Sequence, residues 1–384
     1  VRIALVTDTY VPQVNGVSTV LRRMVEALDA ARHDAVVVAP EYPGQHREDP
    51  GEVRIPSMAF PPYPAIRLAW PAARLVSASL DRFRAQLVHV VTEGPLGLVG
   101  RHYARARRLP LVTSYHTHFP RYCAHYGVPG LEPAAWYFLQ WFHGAAALTH
   151  TPGEAARREL IEHGIRHAVV WGRGVDTRHF HHGRRSAALR RRLGVREDRA
   201  LVLHVGRLAP EKNLEILIGA WSIAWDALGE RAAFVVAGEG PLRERLQARL
   251  PWATHLGFLD RAALAELYAS ADLCVLPSET ETCGLVALEA MASGLPVVAA
   301  SAGGLRESVT HGRTGLLAPP DDARAFAAAI TALVMDPALR ARLSAAARLT
   351  AVARDAAIED AVLLDQYAEL LGREPERDVW RAAS

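Results

Sequence analysis

Short runs of Val, Ile, Leu and Ala, each followed by a stretch with helical spacing of apolar residues, recur along most of the chain. In the first half they predict strands at 2–7, 34–39, 87–91, 110–114, 145–150 and 167–171, with helices at 17–30, 72–84, 95–107, 133–143 and 153–163. The strand runs are near-continuously apolar rather than alternating, as expected where both faces of a parallel sheet are covered. An Arg-rich stretch at 184–199 interrupts the pattern, which then restarts. The second series predicts strands at 200–205, 232–237, 254–257, 272–276 and 295–300 and helices at 213–227, 241–249, 261–270 and 284–293. Two successive βα series predict an α/β protein with two doubly wound domains, 1–180 and 200–354, joined by a linker at 181–199. An amphipathic helix over 355–372 closes the pattern, and the proline-rich residues 40–70 read as loop.

Composition narrows this picture. A chain of 384 residues suits two domains of ~150 residues each. No apolar run reaches the ~18 residues of a membrane span, and Val1–Val6 reads as a buried strand rather than a signal peptide. Three cysteines, Cys123, Cys274 and Cys283, are widely spaced and odd in number, against a disulfide framework and against zinc. The expectation is a cytoplasmic protein, with peripheral attachment at the inner face of the cell membrane.

Charge is distributed unevenly. Residues 1–180 hold 20 Arg against 15 acids, 181–199 hold 7 Arg against 2, and 200–384 hold 17 bases against 24 acids. A basic first half suits an anionic membrane surface or an acidic substrate. Nucleic acid is not expected, because the positive charges are not interleaved with aromatic residues. The aromatic, proline-rich segment 59–74 and the Arg-rich segment 101–108 are candidate membrane contacts, or simply a packing loop and a solvated helix face. Forty-three of the 44 basic residues are Arg; the exception is Lys212. On a solvated surface the two types exchange freely, so a lone Lys marks a place where a compact ammonium is needed.

The densest chemistry lies in Ser278–Ala300, where Glu281 and Glu289 flank a helix opened by Gly284. The backbone N–H groups of Gly284, Leu285 and Val286 form a positive helix end suited to a diphosphate. The two carboxylates suit hydroxyls beside it. Strand 200–205 ends in G-R-L-A-P-E-K-N, from which Arg207 and Lys212 can converge on one anion. In the first half, Asp8–Val17 runs from a strand into a helix, with Gly16 near its start. His116 and His118 follow strand 110–114, at the end where parallel sheets place active sites. No G-x-G-x-x-G or G-x-x-x-x-G-K-[ST] follows either opening strand, against nicotinamide and Walker-type nucleotide readings.

These segments together resemble the retaining glycosyltransferases of family 4. The motifs are P-Q-V-N-G-V at 12–17, S-Y-H-T-H at 114–118, R-G-V-D at 173–176, G-R-L-A-P-E-K at 206–212, A-G-E-G-P-L at 237–242 and E-T-C-G-L-V-A-L-E at 281–289. The resemblance implies the GT-B fold, two Rossmann-like domains facing each other across a cleft with the tail helix crossing back to the first. It implies that Gly16 lets a helix approach the donor phosphates and that Arg207 and Lys212 neutralise the diphosphate. It also implies that Glu281 contacts the sugar, Glu289 holds the ribose, and Gly284, Leu285 and Val286 offer backbone N–H groups. His116 takes the place of the family's catalytic-site histidine. Cys283 stands where the family often has an aromatic residue.

Within the family, S-Y-H-T-H, F-P-R-Y and R-G-V-D-T look most like members that glycosylate membrane lipids. The expected activity is hexosyl transfer, foremost of mannose from GDP-mannose, to a glycolipid or phospholipid acceptor. UDP-sugar transfer of glucose or sulfoquinovose to diacylglycerol is the alternative. No two aspartates are spaced i, i+2, so the D-x-D metal device is missing and transfer without metal or other cofactor is expected. A nucleotide-sugar epimerase, from a different class, would need further acids, for which Glu93 and Glu279 are the candidates.

Overall fold

Strand β1 (Arg2–Val6) forms the middle of a parallel sheet because Ile3, Ala4, Leu5 and Val6 are all apolar and fully enclosed. The computed structural model describes residues 1–13, 15–43, 51–60, 63–116, 120, 129–172, 174–281 and 283–372. Among these, β1 joins β2 (Asp34–Pro40), β3 (Glu52–Ile55), β6 (Leu87–Val90), β7 (Leu111–Ser114), β8 (Leu148–Thr151) and β9 (Ala168–Val170) in the order β3-β2-β1-β6-β7-β8-β9. Strands β4 (Ser57–Phe60) and β5 (Tyr63–Ala69) pair separately as an antiparallel ribbon. A second parallel sheet follows the order β12-β11-β10-β13-β14-β15. Its strands are β10 (Ala200–Val205), β11 (Ala232–Ala237), β12 (Thr254–His255), β13 (Leu273–Leu276), β14 (Val297–Ala300) and β15 (Gly315–Ala318).

The chain divides into two compact units, Val1–Gly172 with the stretch from Glu359 on, and Arg173–Ile358. In each sheet the opening strand is flanked by its successor on one side and a later strand on the other: β2 and β6 around β1, β11 and β13 around β10. The strand order reverses there. Such switch points open a crevice beyond the carboxyl ends of the strands, where ligands bind in this architecture.

Three sequence expectations need correction. The stretch 181–199 is not a linker but part of the second unit, whose core takes in Phe180, Leu189 and Val195. One of its arginines, Arg190, is an internal fastener, while Arg184, Arg191, Arg192 and Arg196 stay exposed. Buried Arg190 donates to Ser270 O at 2.8 Å, Arg199 O at 2.7 Å and Asp272 Oδ2 at 2.9 Å, so the guanidinium fork satisfies several acceptors at once. Residues 40–70 contain strands β3 to β5 rather than loop alone. Pro64 is tolerated because a two-stranded ribbon has free edges. The segment 101–108 is not a uniformly solvated basic face. Arg101 is buried, donates to Phe142 O and Trp141 O at 3.0 and 2.8 Å, and lies 3.8 Å from the Trp141 ring centre. Arg107 forms a salt bridge to Asp81. Of the 59–74 segment, Trp70 is 61% exposed and Leu68 37%, so part of that expected apolar surface does face solvent.

The tail helix Ala356–Leu370 passes from one unit to the other, belonging to the first from Glu359 on. It is fastened there by polar groups as well as by packing. Tyr367 is enclosed and hydrogen-bonds His89, Gln366 pairs with His150 at 2.7 Å, and Asp360 with Arg23 at 3.0 Å. No helix among the described residues is long and apolar enough to cross a membrane.

Candidate functional site

At the second unit's switch point, β10 leads into Gly206–Arg207–Leu208 and β11 into Gly238–Glu239–Gly240. The two loops are laced together: Gly206 N–H donates to Ala237 O at 3.1 Å, Leu208 N–H to Glu239 O at 2.8 Å and Leu242 N–H to Leu208 O at 2.9 Å. A Cβ on Gly238 would fall 1.9 Å from Gly206 O, at a φ of +147°. Only glycine permits that approach, so the A-G-E-G motif acts by fixing the course of the G-R-L loop.

The next turn, Pro210–Lys212, aims the cations. Glu211 is buried and pairs with Arg207 through Nη2 and Oε1. Ser278 Oγ and Thr280 Oγ1 both donate to Glu211 O, at 3.0 and 3.1 Å, tying this turn to the loop after β13. Lys212 Nζ forms an ion pair with Glu281 Oε1, both side chains about one-fifth exposed. Glu281 is held from behind: Gly304 N–H donates to its carbonyl at 2.6 Å, and Gly303, at φ +50°, has no room for a Cβ, which would meet that same oxygen at 2.7 Å. Two candidate phosphate ligands therefore rest against two carboxylates.

The helix Leu285–Ala292 begins at Gly284, whose left-handed φ of +67° suits glycine, and no side chain caps it. Its first N–H groups thus keep the anion-binding character of an open helix end. Ser308 Oγ donates to Cys283 O at 2.9 Å and anchors the turn before it. Glu289 sits five residues into the helix, partly exposed, and Tyr268 O–H donates to its Oε2 at 3.3 Å. Enclosure by protein raises the Glu289 carboxyl to about 7, against the Tyr268 hydrogen bond and the nearby Arg261, which lower it. Beneath the site, His204 is buried, donates from Nδ1 to Val275 O at 2.9 Å, and is held neutral by burial, its pKa lowered to about 4.

Arg207, Lys212, Glu281, Gly284, Leu285, Val286 and Glu289 thus all belong to the second unit, with direct contact between Lys212 and Glu281. Gly16 and His116 belong to the first. Gly16 is exposed at the start of the helix Gly16–Ala30, whose cap Asn15 already accepts from Val17 N and Ser18 N at 3.0 and 2.9 Å. His116 is buried just beyond β7. His118, Val14, Arg173 and Thr282 lie outside the described residues. Glu93, one candidate epimerase acid, is enclosed in the first unit with its Oε1 3.4 Å from His143 Nε2, while Glu279 is exposed. Among the described residues no three His, Cys, Asp or Glu side chains are grouped to hold a metal ion.

Sequence reasoning passed over Glu211, Tyr268 and Gly303. Glu211 had a signal, its i, i+4 spacing from Arg207. Tyr268 and Gly303 had none, since their partners lie 18 or more residues away in sequence.

Residues 14–179 match the family described as Glycosyltransferase Family 4, and residues 186–350 match Glycosyl transferases group 1. A GDP-mannose-dependent alpha-mannosyltransferase of Mycobacterium tuberculosis is 37% identical over 97% of this chain and 98% of its own. Sulfoquinovosyl transferase SQD2 of Arabidopsis thaliana is 36% identical over 82% of this chain and 63% of its own. Among solved structures, sucrose-phosphate synthase from Thermosynechococcus elongatus superposes with a TM-score of 0.80 at 22% identity, covering 97% of this chain and 99% of that one. The fold is GT-B, with two Rossmann-like domains, and the protein is a hexosyltransferase. The chain belongs to the family 4 glycosyltransferases.

Proposed function

We propose that the protein transfers mannose from GDP-mannose, with retention of configuration, to a glycolipid or phospholipid acceptor at an anionic membrane surface. The observation that carries this reading is the Arg207–Glu211 and Lys212–Glu281 arrangement beside the open helix end at Gly284. It is supported by the 37% identity to the GDP-mannose-dependent relative over nearly the full length of both chains. In this reading the donor diphosphate takes Lys212 and Arg207 as its cations and the N–H groups of Gly284 to Val286 as donors. Negative charge growing on the departing diphosphate meets preorganised positive charge, the largest electrostatic contribution available here. Lys212 leaving Glu281 for the phosphate frees that carboxylate for the sugar hydroxyls. Glu289 accepts from the ribose. The roles of Gly16 and His116 rest on the family resemblance alone.

Transfer proceeds without a divalent cation in this reading, because two side-chain cations occupy the place where D-x-D enzymes hold a metal. Retention follows from attack on the face the diphosphate leaves, with a donor phosphate oxygen accepting the acceptor's proton. Glucose or sulfoquinovose transfer from a UDP-sugar to diacylglycerol is the second reading, favoured by the likeness to the Arabidopsis sulfoquinovosyl transferase. Purified protein should be given GDP-mannose, UDP-glucose and UDP-sulfoquinovose, with and without anionic liposomes carrying glycolipid or phospholipid acceptors, and with EDTA. Mannosylated lipid formed in EDTA is the expected product. Activity only with a UDP-sugar, or its loss on chelation, would overturn the donor or the metal assignment respectively.

A further inference from the structure

Tyr268 is one of the largest fully enclosed side chains in the second unit, and its hydroxyl is aimed at a site residue. It projects from the helix Arg261–Ser270, packs edge-on against Phe180 at 5.9 Å, and reaches both Glu289 Oε2 at 3.3 Å and Val286 O at 3.5 Å. Those two acceptors stand on the first turns of the helix Leu285–Ala292. One phenol therefore braces the open helix end and the carboxylate behind it.

We propose that Tyr268 is a positioning residue for nucleoside diphosphate binding, holding Glu289 ionised and oriented toward the ribose. The inference rests on the reading of Glu289 as the ribose ligand and goes one residue beyond it. A carboxylate in a protein-walled position tends to take up a proton, and a protonated carboxyl presents one fewer strong acceptor to ribose hydroxyls. A hydroxyl that donates to it favours the charged form. Tyr268 keeps its proton to donate, since burial and the neighbouring Glu289 push its own pKa well above the usual value. The remaining ionisable groups around Glu289 are few. Arg261 acts from the same helix as Tyr268 and is itself bound to Asp176 at 2.7 Å. Cys274 on β13 stays a thiol, pushed above the usual range by burial. Glu281 lies within electrostatic reach of Tyr268. Arg348, from the helix Pro337–Val352, binds Ala292 O at the far end of the Glu289 helix, and Arg306 and Glu307 stand on the packed helix Leu305–Ser308. None of the named groups but Tyr268 is hydrogen-bonded to the Glu289 carboxylate.

The test is GDP binding by calorimetry between pH 5.5 and 8.5, with UDP in parallel, on the full chain and on Y268F and E289Q. Wild-type affinity should fall as pH drops through about 7, where Glu289 gains its proton. In Y268F the midpoint should move up by about one pH unit, a tenfold change in proton affinity, with affinity at pH 8.5 nearly unchanged. E289Q should bind weakly and lose the step at about 7, keeping only the fall at ~6 from the diphosphate's own second ionisation, as should wild type with 2′,3′-dideoxy-GDP. A Y268F curve that overlays wild type, or lies below it equally at every pH, would overturn the positioning role. E289Q binding GDP as tightly as wild type would overturn instead the ribose assignment on which it rests. Y268M, which removes the same hydroxyl with an adaptable side chain, decides the matter if the phenyl ring is not accommodated.

Discussion

The two units use buried polar chemistry in opposite ways. In the second, ionisable groups gather at the carboxyl edge of the sheet and remain partly open: Lys212 and Glu281 about one-fifth exposed, Arg207 about two-fifths. In the first, comparable groups are sealed inside. Glu93 meets His143, whose Nδ1 lies 2.9 Å from Thr113 Oγ1, which in turn lies 2.9 Å from Thr149 Oγ1. A second set links His89 to Ser114 at 2.6 Å and to Tyr367, and His150 to Gln366. Open groups can exchange a protein partner for a ligand, whereas sealed groups can only hold the structure together. The same architecture thus yields a binding edge in one unit and a fastening for the tail helix in the other.

That contrast can be broken most sharply at Lys212. Replacement by Ala should cut transfer ~100- to 1,000-fold, because a preorganised cation at the leaving group is lost and Glu281 is left facing the phosphate. Single-turnover rates with GDP-mannose measure this, and near-normal rates would show the clamp is not there. Next is His143→Ala, which strands the buried Glu93. Removing the polar neighbour of a buried carboxyl costs ~1–3 kcal/mol. Hydrogen exchange should show β6, β7 and β8 loosening while GDP binding by the folded protein persists.

The third prediction separates the units by pH. Glu289 sits at about 7 in the folded protein against 4.5 for a free glutamate side chain. Its contribution to stability is therefore full below 4.5 and declines as pH rises to 7. His150 sits at about 4 against 6.5, and His89 is lowered too, so their contribution is full above 6.5 and lost as pH falls toward 4. Moving from pH 7.5 to 5 should weaken the first unit through His150 by ~1–3 kcal/mol, while in the second the gain at Glu289 is largely offset by the loss at His204, also lowered to about 4. Hydrogen exchange of the whole protein, corrected for intrinsic rates, reads both units at once. The smallest effect belongs to Tyr367→Phe, which removes the hydroxyl that meets His89. It should cost ~1 kcal/mol and raise exchange in the tail helix, with transfer rates kept.

Periodicity alone determined most of the fold. The strands at 200–205 and 232–237 and the helices at 95–107 and 261–270 stand where the apolar spacing placed them. Burial on a sheet face or a helix stripe is a local demand that the chain must meet with local residues. The motif residues Arg207, Lys212, Glu281, Gly284 and Glu289 were legible as a group at turns that the pattern marks, and the fold does bring Lys212 onto Glu281. Tertiary structure alone decided the rest. It drew the Arg-rich 181–199 into the second core, because a guanidinium can be buried once backbone carbonyls from elsewhere surround it. It placed Tyr268 beneath Glu289 and gave Gly303 its necessity, through contacts between segments 21 or more residues apart. It sealed Glu93 against His143 and left Lys212 facing Glu281. No spacing along the chain distinguishes a carboxylate that will be enclosed from one that will stay open, because that depends on which distant residues fold over it.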